Sequence, residues 1–298
     1  MNTRDLKYFV ALVKYKNYTQ VAKLFKVSQP TITQAIQRLE REFSTQLIRK
    51  DRTHRDEMIT RSGLILYENA MLINEKIDLT RKEVERANQK QIRFGLPPII
   101  GKLSISKIVE EFSGDLLPRL KITSAGSHDL LAQLKAGKID IALLGSTSPI
   151  DEADIFAEMI TTRPFSIIVS EKHPLARKKG VHFKELADEK FISYGNQYIH
   201  PSAFQAYCAY AQVKPKVIVY RLPDISWIKE LVRQNQGISL MVKDAAVNEP
   251  GIVPLDILDD TQEKFYISIV TREGYVMTDD EKDFIQRVRQ IHLAQHKD

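Results

Sequence analysis

Polar side chains that can hydrogen-bond to nucleic-acid bases recur between residues 29 and 38. A glutamine amide matches the donor and acceptor on the edge of adenine, and an arginine guanidinium matches the two acceptors of guanine. This run therefore allows base reading and phosphate contact. The side chains that we expect to contact DNA, including two arginines further along, are Thr19, Ser28, Gln29, Pro30, Thr31, Thr33, Gln34, Gln37, Arg38, Arg52 and Arg55.

A second set of polar groups follows the predicted strands of the remaining chain. In open α/β sheets, ligands bind at the carboxyl ends of strands, beside helix N-termini that favour anions. We therefore expect a small-molecule effector, an organic anion, and neither a metal nor a cofactor. The expected contact residues are Pro98, Ile99, Ile100, Ser127, His128, Gly145, Ser146, Thr147, Tyr194, Gly195, Asn196, Pro223, Asp224 and Ser226.

Signals of catalysis are weak in this sequence. The single cysteine, Cys208, has no basic neighbour along the chain, and the seven histidines lack the spacing of metal ligands. The sequence also contains no glycine-rich phosphate-binding loop and no nucleophile elbow. We predict that the protein is not an enzyme.

Charge is distributed unevenly along the 298 residues. Residues 1–61 contain 13 Lys and Arg against 6 Asp and Glu, a net charge of +7, whereas the other 237 residues contain 31 against 32, a net charge of −1. The basic excess coincides with the base-reading run and favours nucleic acid as the partner. The lone cysteine, the charged start and the absence of an apolar run of about 18 residues predict a cytoplasmic protein with no membrane contact.

Apolar spacing predicts three helices before residue 44. Leu6, Phe9, Val10 and Val13 form the apolar face of the first helix, and Thr19 is placed to cap a short second helix. Ser28 is placed to cap the third, whose buried stripe is predicted to be Ile32, Ile36, Leu39 and Phe43. Short strands at 46–48 and 58–60 then predict a wing with a basic tip. The pattern is typical of a winged helix-turn-helix over residues 1–61.

A heptad pattern follows the wing. Apolar or small residues recur in alternating steps of four and three from Leu66 to Ala87, which predicts a helix about 40 Å long over residues 62–90. A seam of this length favours burial by a second copy of the chain, although packing on its own domain is the alternative. The expected dimerisation residues are Leu66, Ala70, Ile73, Ile77 and Val84.

Strand and helix patterns alternate from residue 91 onward, which predicts a doubly wound α/β domain over residues 91–298. We expect two lobes, with lobe I at 91–162 and 268–298 and lobe II at 163–267. Two crossing strands would join them and leave a ligand cleft, as in periplasmic binding proteins. The overall fold class is therefore α/β, with an N-terminal winged helix-turn-helix and a long linker helix.

The chain resembles the LysR-type transcriptional regulators. In the N-terminal part the likeness rests on residues 27–33, Val-Ser-Gln-Pro-Thr-Ile-Thr, followed by Ile36 and Leu39-Glu40, with Gly63 after the wing. In the C-terminal part it rests on residues 137–142, 173–176 and 231–239. The first sixty residues also resemble regulators of malolactic fermentation genes within this family.

The resemblance implies a regulator that binds an interrupted inverted repeat in double-stranded DNA and responds to a small metabolite. It further implies a homodimer through the linker helix, assembly into a homotetramer, and RNA polymerase as an additional partner. Three alternatives remain open: an enzyme, a solute-binding protein for transport, and an architectural DNA binder whose sensor domain has no ligand. The weak signals of catalysis argue against the first, and the basic N-terminal segment argues against the second.

Overall fold

The computed structural model describes residues 2–50, 57–112, 114, 116–193, 195, 198–219, 225–261 and 263–293. The chain divides into two compact units, Met1–Gln89 and Lys90–Asp298. No helix in the described part of the chain combines the length and the apolar character needed to cross a membrane.

The N-terminal unit is a helical bundle with a two-stranded wing. Its elements are α1 (Thr3–Tyr15), α2 (Tyr18–Phe25), α3 (Gln29–Glu42), β1 (Ile48–Lys50), β2 (Glu57–Ile59) and α4 (Arg61–Arg86). The wing strands are antiparallel, with Ile48 opposite Ile59. Leu6, Phe9 and Leu12 of α1 pack with Ile32 and Leu39 of α3 in one buried cluster.

Of the two helix caps predicted in this unit, one is confirmed by the structure and the other is wrong. The Ser28 side chain accepts a hydrogen bond from the Thr31 N–H and caps α3, as predicted. The prediction for Thr19 is wrong, because Asn17 caps α2 by accepting from the Gln20 N–H. Phe43 was predicted to be buried, but it follows the last turn of α3 and is largely exposed.

Close packing explains the glycine at the start of α4. Thr60 caps this helix through the Gly63 N–H, and the Thr60 hydroxyl also donates to the Gln46 carbonyl oxygen. A Cβ at Gly63 would lie only 2.3 Å from the Leu47 carbonyl oxygen. The first turn of α4 therefore packs directly against the base of the wing, and this close approach requires a residue without a Cβ at position 63.

The C-terminal unit alternates strands and helices. Its elements are β3 (Ile92–Gly95), α5 (Pro98–Phe112), β4 (Leu120–Thr123), α6 (Ser127–Lys135), β5 (Ile141–Ser146), β6 (Ile155–Ser170), β7 (Gly180–Val181), β8 (Lys190–Ser193), α7 (His200–Ala211), β9 (Lys216–Val219), α8 (Ile225–Arg233), β10 (Ser239–Val242), β11 (Ile252–Ile257), β12 (Lys264–Arg272) and α9 (Asp279–Leu293).

Strand pairing builds two lobes joined by long strands. In lobe I, β4, β3 and β5 are parallel neighbours, and β12 lies antiparallel to both β5 and β6. Strand β6 pairs with β12 up to Pro164 and with β10 and β11 from Phe165 onward. Lobe II contains β7–β11 with α7 and α8, and β8 and β9 form its parallel pair. The strands β6 and β12 thus carry the chain between the lobes.

Local contacts and residue order define the starts of α5, α6 and α9. Helix α5 begins at Pro98, so Pro98, Ile99 and Ile100, which were expected to follow a strand as contact residues, form its first turn. Ser127 is the first residue of α6 and does not cap it, because its hydroxyl oxygen accepts from the Gly145 N–H at 3.0 Å. Thr278 and Glu281 form a capping box at the start of α9 through reciprocal hydrogen bonds.

Candidate nucleic-acid and small-molecule sites

The exposed face of α3 carries the side chains expected to read bases. Gln29, Pro30, Gln34 and Gln37 are exposed, and the apolar side of the helix is sealed in the core of the unit. Thr33 is half-buried and donates to the Gln29 carbonyl oxygen one turn earlier. Arg41, which the sequence analysis did not include, is exposed one turn after Gln37 and adds a cation to this helix.

Arg38 forms an ion pair within the N-terminal unit. Its guanidinium forms two hydrogen bonds with the carboxylate of Asp5 in α1, at 2.9 and 2.7 Å, and the Asp5 side chain is almost completely buried. The hydrogen bonds that Arg38 donates to the Asp5 carboxylate raise the pKa of Arg38. Arg38 therefore braces α1 against α3, although its side chain remains 44% exposed.

The other predicted DNA contacts lie at the N-terminal ends of α2 and α3 or outside the described residues. Ser28 and Thr31 are hydrogen-bonded to each other at the start of α3, with 2.8 Å between their hydroxyl oxygens. Thr19 is exposed in the first turn of α2. Arg52 and Arg55 lie outside the described residues.

The seam of α4 divides into two parts. Leu66 and Ala70 are buried in the core of the N-terminal unit, so they have no surface left for a partner chain. Further along, Ile73 is 38% and Val84 68% exposed, and Ile77 is half-buried. The first part of the seam packs in the core of its own unit, and the second part faces solvent, although both parts have the same heptad pattern.

A second apolar stripe on α4 was missed. Ile65 is 57% and Leu72 is 66% exposed, seven residues apart on one face of the helix. Neither residue belongs to the heptad seam that the sequence predicts. They widen the exposed apolar surface of α4.

A pocket of about 410 Å³ opens where β5 ends and α6 begins. Its volume falls in the range of about 300–1,000 Å³ that small-molecule sites occupy. Five of the predicted residues line it, and Ile199 and Ser202 of lobe II close its other side. The predicted lining residues are Ser127, His128, Gly145, Ser146 and Thr147.

Backbone donors and acidic side chains set the electrostatics of this polar pocket. Gly126 occupies the cap position of α6 and no side chain caps the helix, so its N-terminal N–H groups favour an anion. Asp151 and Glu152 line the pocket and are exposed. The Glu152 charge is offset by Lys135, whose Nζ lies 2.6 Å from its carboxylate.

A small apolar pocket of about 20 Å³ adjoins the polar one. Pro98 and Ile99 from lobe I line it together with Ile225 from lobe II, and Ser127 and Ile199 line both pockets. Of its lining residues, only Pro98, Ile99 and Ser127 were predicted from the sequence, and those that complete it besides Ile199 and Ile225 are Pro97, Tyr198, His200 and Phe265.

His200 gives this small pocket an uncharged wall. The imidazole is 4% exposed and its ring contacts those of Phe165 and Phe265. Burial lowers the pKa of His200 to about 3, so the side chain is neutral at physiological pH. No sequence signal separates this histidine from the other six, because its burial depends on strands far away in the chain.

The remaining predicted contact residues lie elsewhere. Ile100 is completely buried in the core of the unit and lines neither pocket. Ser226 is exposed on α8, and Gly195 is half-buried in the segment that follows β8. Tyr194, Asn196, Pro223 and Asp224 lie outside the described residues.

Two observations concern Cys208 and the residue types that bind metals. Burial raises the pKa of the Cys208 thiol to about 11, which disfavours the reactive thiolate. Within the described residues, no three His, Cys, Asp or Glu side chains are grouped as metal ligands.

Comparison with known proteins decides the family. Residues 3–64 match the model described as "Bacterial regulatory helix-turn-helix protein, lysR family", and residues 85–292 match that of the LysR substrate binding domain. The chain belongs to the LysR family of bacterial transcriptional regulators. A LysR-type relative, the malolactic fermentation system transcriptional activator of Lactococcus lactis, is 34% identical over 293 residues and covers 98% of this chain and 99% of its own.

Solved LysR-type structures show the same fold. Full-length BenM superposes with a TM-score of 0.58 at 24% identity and covers 99% of this chain and 98% of its own. The effector binding domain of QuiR in complex with shikimate gives a TM-score of 0.60 at 19% identity, over 69% of this chain and 98% of its own. This LysR-type regulator therefore combines a helix-turn-helix with a two-lobed effector-binding domain, and the family is one of regulators and not of enzymes.

Proposed function

We propose that this LysR-type regulator binds an interrupted inverted repeat as a dimer and that a small organic acid, bound in the polar pocket, changes how it binds. In this proposal residues 1–61 bind DNA, residues 62–90 dimerise and residues 91–298 bind the effector. The exposed polar face of α3 is the observation that carries it. Lobe I is 91–162 with 268–298, and lobe II is 163–267.

Geometry supports α3 as the reading helix. A helix in the major groove contacts bases with its N-terminal residues, and Gln29 and Gln34 are exposed in the first two turns of α3. The α3 N-terminus adds backbone donors for phosphate. Arg38 is withdrawn from the reading set because it is bonded to Asp5, and we propose Arg41 as an added phosphate contact.

Two exposed apolar stripes on α4 support the dimer. Ile73 and Val84 form one stripe, and Ile65 and Leu72 form the other. A second copy of α4 would remove this surface from water, and a two-fold dimer presents two α3 helices to two half-sites. The proposed dimer seam therefore omits Leu66 and Ala70. Assembly of dimers into a tetramer follows from the family and is proposed with it.

The polar pocket supports an organic acid as the effector. Its volume suits a small metabolite, and the uncapped N-terminus of α6 favours a carboxylate. The Lactococcus lactis relative is named for a malolactic fermentation system. L-malate and L-lactate are therefore the first effectors to test, and RNA polymerase is the partner through which a bound effector would act on transcription.

The DNA-reading claim is tested by comparing Gln34→Ala with Gln89→Ala, a glutamine beyond the end of α4. A duplex selected from a random library by the wild-type protein is titrated by fluorescence anisotropy, together with all its single-base variants. Loss of a bidentate base contact should cost about 1–3 kcal/mol at one base pair and flatten the preference there. If Gln34→Ala keeps the wild-type preferences, the assignment of the reading face is wrong.

The effector claim is tested by calorimetric titration of the full-length protein with L-malate and L-lactate. We expect saturable binding of at least one acid, weakened in Ser127→Ala and Thr147→Val because both side chains line the polar pocket. Lys179→Ala changes an exposed side chain outside both pockets and should bind as the wild type does. Absence of binding by these and other small organic acids would favour an architectural DNA binder.

A further inference from the structure

The side chain of Glu249 connects the two lobes beside the small apolar pocket. Its carboxylate lies 2.7 Å from Lys229 Nζ and 3.8 Å from an Arg233 nitrogen, both on α8 of lobe II. The same carboxylate accepts a hydrogen bond from Lys102, on α5 of lobe I. We call Lys102, Lys229, Arg233 and Glu249 the Glu249 cluster.

The position of this cluster relates it to the pocket. Pro98 of α5 and Ile225 of α8 line the small pocket from opposite lobes. Lys102 and Lys229 each lie four residues further along the same helices, and residues four apart share one helix face. The two helices that begin at the pocket therefore meet again, one turn later, at Glu249.

Burial and charge make this contact more than a surface ion pair. The side chain of Lys229 is only 4% exposed, and its ammonium also donates to the Ala245 carbonyl oxygen. The hydrogen bonds from Lys102 and Lys229 lower the pKa of Glu249 to about 2. Three cations thus share one carboxylate. Arg233 also pairs with Glu230, so removal of the Glu249 carboxylate would leave Lys102 and Lys229 facing each other without their shared anion.

We propose that the Glu249 cluster is an interlobe contact that holds α5 and α8 at the separation seen here and so sets the width of the cleft. Lys102 is the arm that reaches from lobe I, and Lys229 with Arg233 anchors Glu249 in lobe II. When Lys102 is lost, the lobes separate more readily at the small pocket. The proposal concerns the protein without ligand and is independent of which effector binds.

Lys102→Met is the cleanest variant for a test. It removes the interlobe arm and leaves the buried Lys229–Glu249 pair intact, so the variant should fold. Lys243→Met is the matched control, because Lys243 bonds to Asp256 at 2.5 Å within lobe II and the two lysine side chains are similarly exposed, at 36% and 43%. Glu249→Gln is the second test variant, and it removes the shared anion itself.

Hydrogen exchange of the full-length protein, followed by mass spectrometry, gives the readout. Lys102→Met and Glu249→Gln should both speed exchange about tenfold in the second turns of α5 and α8, which contain Lys102 and Lys229, as expected for the loss of a charge-assisted hydrogen bond from a local opening. Lys243→Met should leave both segments at the wild-type rate. High salt should move the wild type toward Lys102→Met, because the Lys102 arm is partly exposed.

Two outcomes would overturn the proposal. The first is an exchange profile of Lys102→Met that matches that of Lys243→Met in α5 and α8. The second is a uniform rise in exchange across the C-terminal unit, because that would indicate general loss of stability and not separation of the lobes.

Discussion

The buried imidazole of His200 should make the C-terminal unit sensitive to mild acid. Burial lowers the pKa of His200 to about 3 in the folded protein, whereas an unfolded chain has a histidine pKa of about 6.5. Below pH 6.5 the unfolded state therefore binds a proton that the folded state does not bind. The contribution to stability is complete above pH 6.5 and is lost as the pH falls from 6.5 toward 3.

The size of the effect follows from these two values. The free energy of unfolding falls by about 1.4 kcal/mol per pH unit only once the pH is well below 6.5, because the unfolded histidine must then be protonated. Between pH 7 and pH 5.5 the free energy of unfolding should therefore fall by about 1.3 kcal/mol because of His200 alone. The single tryptophan, Trp227, lies on α8, so its fluorescence reports on the C-terminal unit of the full-length protein. Urea titrations at the two pH values measure the difference.

A neutral replacement should remove this pH dependence. His200→Leu keeps an apolar side chain against Phe165 and Phe265, and its free energy of unfolding should change little between pH 7 and pH 5.5. His128→Leu is the matched control, because His128 is exposed and its loss should leave the wild-type slope. If His200→Leu loses as much stability as the wild type over this range, the imidazole is not a neutral wall of the small pocket.

Three further substitutions test the packing around the two sites. Arg38→Gln should lower the free energy of unfolding of the N-terminal unit by about 1.5–3 kcal/mol in urea titrations followed by circular dichroism, because it leaves the buried Asp5 carboxylate without its guanidinium. Gly63→Ala should cost about 1–3 kcal/mol in the same assay, because a Cβ there would lie 2.3 Å from a main-chain carbonyl oxygen. Gly145→Ala should cost about 1–3 kcal/mol in the C-terminal unit, measured by tryptophan fluorescence, because its Cβ would lie 2.4 Å from the Phe265 ring.

Each of these predictions has a clear contrary result. Arg41→Gln removes an exposed arginine of the same helix, so equal losses in Arg38→Gln and Arg41→Gln would contradict the bracing role of the Asp5 pair. A Gly63→Ala protein with wild-type stability would mean that the wing and α4 are not in close contact. Gly145→Ala with an unchanged unfolding transition would mean that the Phe265 ring can move at no cost.

Local patterns were sufficient where the physics is local. The spacing of apolar residues placed the three helices, and Ser28 caps α3 because a serine before a Gln-Pro start can reach a free N–H. Thr and Asn are both favoured capping residues, so residue type alone does not show that Asn17 and not Thr19 caps α2. Phe43 was expected to be buried because it continues the stripe, but α3 ends before it is covered.

Long-range packing limited the prediction of the candidate site. The rule that ligands bind at strand ends led to Ser127, Gly145 and Thr147, which line the polar pocket. His200 and Phe265 were missed because they reach the small pocket through the pairing of β12 with β6 and the start of α7, which no sequence period reveals. Heptad spacing also could not predict what α4 packs against. A seam that is buried within its own chain and a seam that is left exposed have the same spacing of apolar residues.

The spacing of two half-sites tests the central claim most directly, because the account holds that an α4 dimer places two α3 helices at a set distance along one face of DNA. Binding of the full-length protein is measured on its selected duplex and on duplexes with five or ten base pairs inserted between the half-sites. An insertion of about half a helical turn should weaken binding at least about tenfold, and about a full turn should restore part of it. Equal affinity for all three duplexes would contradict the account.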